Sequence, residues 1–204
     1  FLKPAVTGVL SLVQRGVRNP AEGGAHERLA LLERELTRMQ EILQGFLASG
    51  RPLEGTAPSR VHLGAVVLEA LRALSARAEA ARVSLSARGD ALAEVDPRRL
   101  EVALRNLVAN GIEATPPGGE VIVEVRRCAD RIEILVRDTG RGIAPEALRR
   151  LGTPFFTTRE EGTGLGVALA RSVIARYGGS LRYESEPGKG TTVTARLPCR
   201  PRAA

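Results

Sequence analysis

Tryptophan is absent and aromatic residues make up only 3% of the 204-residue chain, which works against a protein that stacks bases or sugars on aromatic platforms. Blocks of about five or six like charges are also missing. The formal net charge of +7 comes from arginines scattered among acids, including Arg98, Arg99, Arg105, Arg126, Arg127, Arg149 and Arg150, as on a solvated surface; no nucleic-acid partner is expected. No apolar run approaches the roughly 20 residues that span a bilayer, and no signal peptide is visible. A soluble, cytoplasmic chain is expected, with membrane attachment only through segments upstream. Cysteine is scarce: Cys128 and Cys199 are too few and too far apart in sequence for a zinc site or a disulfide framework, which suits a reducing compartment and incidental thiols.

What the chain does have is 43% hydrophobic residues, enough for one sizeable core with a smaller unit beside it. It opens at Phe1 without an initiator Met and already inside an amphipathic pattern, so it reads as a fragment of something longer. Residues 5–17, "AVTGVLSLVQRGV", put Val6, Val9, Leu10, Val13 and Val17 on one helical stripe, with Pro4 tolerable in the first turn. After the helix-breaking "RNPAEGG", residues 25–50 set Leu29, Leu32, Leu36, Met39, Leu43 and Phe46 at steps of three and four, a coiled-coil seam. An antiparallel hairpin over residues 1–50 follows. Its greasy stripe needs a cover, which a second copy supplies as a four-helix bundle in a homodimer.

Residues 51–60, rich in Gly and Pro, read as a linker, and a second domain is expected over 61–198 with a short tail at 199–204. The pattern there alternates: a helix "AVVLEALRALSARAEAA", short strands "RVSLSAR" and "LAEV", then a helix "PRRLEVALRNLVANGIEAT" with Asp96 as N-cap and Pro97 in its first turn. Two strands, "EVIVEVRR" and "RIEILVRD", precede a Gly-rich region, a helix from about Leu165 to Tyr177 and a closing hairpin. The expected fold class is α+β, with helices layered on a mixed sheet.

Five elements carry chemistry. Asn106 and Asn110, four apart, project from one helical face, and an amide oxygen is a suitable neutral ligand for Mg²⁺. Asp138 ends an apolar strand at the mouth of the sheet, where its carboxylate can accept from an exocyclic amine such as that of adenine, while Gly140 and Gly142 let the backbone approach a flat ring. "TPFFTT" follows, then "GTGLG" directly ahead of a helix. That loop lacks both the upstream strand of a Rossmann fingerprint and the Gly-Lys-Ser/Thr ending of a P-loop, so it reads as a glycine loop whose amides meet phosphate at a helix N-terminus. "GKGTT" closes the series.

In this order the elements resemble the catalytic, ATP-binding domain of two-component sensor histidine kinases across residues 61–198: "RNLVANGIEA" is similar to the N box, "DTGRGI" to the G1 box, "TPFFTT" to the F box, "EGTGLG" to the G2 box and "GKGTT" to the last glycine box. "PFFTTREEGTGLG" particularly resembles kinases of the nitrogen-regulation type. The resemblance implies a Bergerat α/β sandwich in which Asp138, with Gly140, Gly142 and Ile143, holds adenine; Asn110 binds Mg²⁺ beside Asn106; and Gly162, Thr163, Gly164, Leu165 and Gly166 wrap the triphosphate of ATP. Phe155 and Phe156 belong to the lid, Phe156, Thr157 and Thr158 are among the nucleotide-binding residues, and Thr191 or Thr192 assists at adenine.

The hairpin resembles the family's dimerisation and phosphoacceptor domain. Aligning "FLKP" puts the acid just before Phe1 and the phosphorylated His one residue earlier; Lys3 stands where Asn or Thr is usual, a position linked in the family to dephosphorylating the partner. His26 and His62 lack the acid-then-proline context and read as surface or capping residues. Related gyrase-type ATPases place a water-activating Glu where Asn106 stands, and an amide cannot deprotonate water, which favours transfer to His over hydrolysis. The implied partner is a response regulator receiver domain. Two rivals stand beside this reading: an anti-sigma-type serine kinase, against which the hairpin speaks, and a dimeric scaffold that binds nucleotide without transferring phosphate.

Overall fold

In β4 (Glu120–Arg127) and β5 (Arg131–Asp138), alternation buries Val121, Val123 and Val125 on one strand and Ile132, Ile134 and Val136 on the other, where Leu135 is buried as well. A computed structural model describes residues 57–153, 156–157 and 164–199 of the chain. The chain divides into two units, Phe1–Arg51 and Pro52–Ala204, and every described residue lies in the second. The expected hairpin, the linker up to residue 56, Phe155, Thr158, Gly162, Thr163 and the tail after Cys199 fall outside the described residues.

The main sheet has five strands in the order β2-β4-β5-β7-β6, where β2 is Ser84–Arg88, β6 Ser180–Glu186 and β7 Gly190–Pro198. β2 runs parallel to β4 and the other pairs are antiparallel, the mixed sheet expected. Register matters at one place above all: Asp138 at the end of β5 stands between Val121 of β4 and Thr191 of β7. A small second sheet pairs β1 (Ser59–His62) with β3 (Leu92–Val95); β1 begins two residues ahead of the expected domain start.

Where one helix is predicted over residues 65–81, the structure has two, α1 (Leu63–Arg72) and α2 (Ser75–Ala81). The apolar steps run on through Leu74 and Ala78, so periodicity alone shows no break. The break is local: the Ser75 hydroxyl donates to the Arg72 carbonyl at 2.9 Å and Leu74 N–H turns back to Leu71 O at 3.1 Å, replacing the regular helical bonds. α3 (Pro97–Ala114) matches its prediction. Asp96 Oδ1 accepts from the N–H groups of Arg98 and Arg99 at 3.0 and 3.3 Å, a satisfied N-cap with Pro97 in the first turn. Its stripe of Leu100, Ala103, Leu104, Leu107, Val108 and Ile112 is buried against the sheet. α4 (Pro145–Arg150) was not expected; it buries no residue, so it leaves no hydrophobic period to read. α5 (Gly166–Arg176) packs beside α3, and Tyr177 at its end donates or accepts nothing at random: its hydroxyl accepts from Asp96 N–H at 3.1 Å, tying the start of α3 to the end of α5. No helix among the described residues is long and apolar enough to cross a membrane.

Candidate functional site

Asp138 is 93% hidden from solvent at the strand end, and its Oδ1 accepts two backbone bonds, from Gly140 N–H at 2.9 Å and Thr191 N–H at 3.1 Å. Burial pushes its carboxyl above the ordinary value, while the two N–H donors pull the other way. Because Oδ1 takes both backbone donors, Oδ2 is the oxygen available to a ligand's N–H. One helix face stands over this carboxylate: a Cβ built on Gly111 would lie 3.4 Å from Asp138 Cβ and 3.2 Å from a Val121 methyl, so α3 rests directly on the strand end. The Arg141 N–H also bonds Ala114 O at 3.0 Å, pinning the loop after β5 to the end of α3.

Five residues earlier on α3, Asn106 meets the other wall. Its Nδ2 donates to Val102 O at 2.8 Å, which leaves Oδ1 directed at Gly166, where a Cβ would approach within 2.7 Å. Asn110, half-buried one turn beyond Asn106, therefore stands between the contact with α5 and the contact with Asp138. Sequence placed both amides on one face; the structure shows what that face meets. Glu113, a turn further on, is held in an ion pair by Arg77 of α2 and so is directed to the surface there.

α5 begins at this wall. Gly164 has φ +68°, Leu165 occupies the N-cap position without a side-chain cap, and the first turn contains no acid, so neither its N-cap side chain nor an acid of its own first turn occupies its leading N–H groups. The loop after Asp138 forms the third side. Gly142 adopts φ +70° and passes so close to the Glu186 carbonyl that a Cβ would sit 2.1 Å from it, which only glycine permits. Ile143 N–H donates to Ser185 Oγ at 2.8 Å; Ser185 in turn donates to Gly190 O at 3.0 Å and shares a bond with Thr191 Oγ1 at 2.9 Å.

Ser185 thus clamps the "DTGRGI" loop to the "GKGTT" strand, a role that an unremarkable serine in an alternating strand gives no sequence sign of. Thr191 is buried beside Asp138. Thr192 pairs with Arg137 and Glu184, and strand alternation puts it on the sheet face away from Asp138. Phe156, half-buried, lies under the Arg150 guanidinium at 4.2 Å, a cation–π contact between the last residue of α4 and the segment that follows it. Thr157 is half-buried beside it.

The donor set suits a magnesium nucleotide. A neutral amide pair beside a helix N-terminus suits a polyphosphate, and a desolvated carboxylate suits the amine of a base. No group of three or more His, Cys, Asp or Glu that could hold a metal by itself occurs among the described residues, so a cation here would take phosphate oxygens and water along with an amide.

Residues 95–201, a span that takes in all of these residues, match the family described as histidine kinase-, DNA gyrase B-, and HSP90-like ATPase. The sensor histidine kinase ZraS of Klebsiella oxytoca is 36% identical over 185 residues, 89% of this chain and 40% of that protein. The chain therefore spans less than half the length of that relative. Full-length ShkA in complex with AMPPNP is similar at a TM-score of 0.73 and 25% identity, covering 88% of this chain and 39% of that one. Histidine kinase ThkA in complex with response regulator protein TrrA shares the fold at a TM-score of 0.76 and 20% identity, over 99% of this chain and 60% of that one. With its Bergerat-type α+β fold and mixed sheet, the chain belongs to the histidine kinase-, DNA gyrase B-, and HSP90-like ATPase family, and sensor histidine kinases are its relatives there.

Proposed function

We propose that this chain is the cytoplasmic kinase core of a sensor histidine kinase, which binds Mg-ATP at 61–198 and passes the γ-phosphoryl group to a histidine of the dimerisation helix for relay to an aspartate of a response regulator receiver domain. The observation that carries the reading is Asp138, buried at a strand end with one oxygen fixed by Gly140 and Thr191, directly beneath the helix that bears Asn106 and Asn110. Oδ2 accepts the adenine amine. Gly140, Gly142 and Ile143 shape the ring slot, held by Ser185. Asn110 is the residue to hold Mg²⁺, with Asn106 beside the N-terminus of α5, where the amides from Gly164 onward meet phosphate.

A bound Mg²⁺ supplies charge neutralisation and alignment of the phosphate oxygens. The chain's own residues orient and exclude rather than abstract a proton. Asn106 has its Nδ2 committed to Val102 O and cannot serve as a base toward water, and Glu113 is committed to Arg77. Phosphoryl transfer, which depends chiefly on in-line positioning and charge neutralisation, needs no more from this domain once an imidazole arrives with its lone pair. Residues 1–50 fit the dimerisation hairpin and 51–60 its linker, a homodimer providing the acceptor helix. The ThkA complex with the response regulator protein TrrA supports a response regulator as partner. Kinship with nitrogen-regulation kinases rests on the run "PFFTTREEGTGLG" alone.

Two measurements test this. Calorimetry of the chain with Mg²⁺ and a non-hydrolysable ATP analogue should give a saturable heat; none would end the proposal. A version extended upstream of Phe1, incubated with γ-labelled ATP, should carry acid-labile, base-stable label. Binding without such label would leave a nucleotide-binding scaffold instead.

A further inference from the structure

Far apart in sequence, Cys128 and Cys199 come together in the fold. Cys128 opens the turn between β4 and β5, its N–H bonded to Arg131 O at 2.8 Å. Cys199 follows β7, its N–H reaching Asp130 O at 3.4 Å on the far side of the same turn. The Sγ of Cys199 lies 4.0 Å from the carbonyl oxygen of Cys128, across 71 positions of sequence. Standard bond lengths then hold the two Cα atoms within about 9 Å of each other, against the roughly 4.4–6.8 Å that a disulfide spans. One thiol stands in a short turn and the other just beyond a strand, the two kinds of backbone that close such a gap at least cost. Both residues are half-buried, and so within reach of a small solute. Charges of both signs stand at the same turn, where Arg131 pairs with Asp130 at 3.2 Å and with Glu133 at 3.1 Å.

We propose that Cys128 and Cys199 form a reversible dithiol switch that closes into an intramolecular disulfide, fastening the end of β7 to the β4–β5 turn. The oxidant is a peroxide. The Cys128 thiolate attacks one peroxide oxygen, giving a sulfenic acid and releasing water once the leaving oxygen is protonated; the Cys199 sulfur then attacks the Cys128 sulfur and expels a second water. Both thiols together lose two protons and two electrons, the peroxide is reduced to water, and a dithiol reductant restores the starting state. β5 carries the turn at one end and Asp138 at the other, roughly 24 Å away at the usual rise per residue, so the closed bridge leaves the pocket intact. The inference therefore stands independently of what that pocket binds.

The test uses the whole 204-residue chain, exposed to a small excess of hydrogen peroxide and then alkylated. The expected product is lighter by about 2 Da before alkylation and yields a cross-linked peptide pair containing Cys128 and Cys199. Its Tm should rise by roughly 5–10 °C and fall back with dithiothreitol. Cys128→Ser and Cys199→Ser should each abolish both the cross-link and the Tm rise. Separate sulfinic products on the two residues, a disulfide between two chains, or an unreacted pair would each overturn the proposal, and peptide mapping of the unsubstituted chain reads all three whether or not the variants fold.

Discussion

At Asp138 one carboxylate both closes the strand end and faces the pocket, so its two oxygens answer different substitutions. In Asp138→Asn the remaining oxygen still accepts from Gly140 and Thr191, but an NH₂ replaces Oδ2 and meets a ligand amine donor to donor. The fold should survive while Mg-nucleotide affinity falls roughly 10- to 100-fold by calorimetry; unchanged affinity would remove Asp138 from the pocket. Tyr183 presents the opposite case. Its hydroxyl is buried without a hydrogen-bond partner among the described residues, and burial pushes its pKa up to about 12, partly opposed by the charge of Arg171. The folded state thus disfavours the phenolate. Since the unfolded chain ionises near the ordinary 10.0, the contribution of the neutral phenol is full below pH 10 and is lost as pH rises toward 12. Tyr183→Phe removes the orphaned hydroxyl: its Tm should match or exceed that of the unsubstituted chain at neutral pH, by up to about 1 kcal/mol of stability, and should decline less between pH 10 and 12. A variant destabilised at neutral pH would show that the hydroxyl has a partner.

Among the elements, α5 shows how a local rule yields to its neighbours. Replacing a helical glycine by alanine ordinarily gains about 0.5–1 kcal/mol. In Gly166→Ala the new Cβ would lie 2.7 Å from Asn106 Oδ1, the mobile end of a side chain, so the amide gives way and the backbone does not. The expected signature is a Tm within a few degrees of the unsubstituted chain together with a clear loss of Mg-nucleotide affinity; equal affinity would mean that Asn106 does not face the phosphates. Element boundaries were legible wherever hydrophobic period and cap agreed, as in α3 with Asp96, Pro97 and its buried stripe, or in the β4–β5 hairpin. They were not legible at Ser75, where a hydroxyl-to-carbonyl bond splits a continuous apolar pattern, nor at α4, which buries nothing.

For the molecule as a whole, a ligand that binds only the folded state raises stability by mass action, by about 2.7 kcal/mol at a hundredfold excess over Kd. The chain should therefore melt several degrees higher with ATP and Mg²⁺ together than with either alone, and EDTA should remove the difference in a thermal-shift titration. A rise with ATP that EDTA leaves untouched would take Mg²⁺ out of the account. The sequence by itself determined the residue types of the proposed site and their order along the chain, because a strand-ending acid, an amide pair at helical spacing and a glycine loop ahead of a helix are local patterns. Tertiary structure decided which of them touch. Strand register put Thr191, and not Thr192, beside Asp138; the packing of α3 against α5 aimed Asn106 at Gly166; and Ser185 and the Cys128–Cys199 pair took their places through contacts between segments distant in sequence, for which no local spacing is a signal.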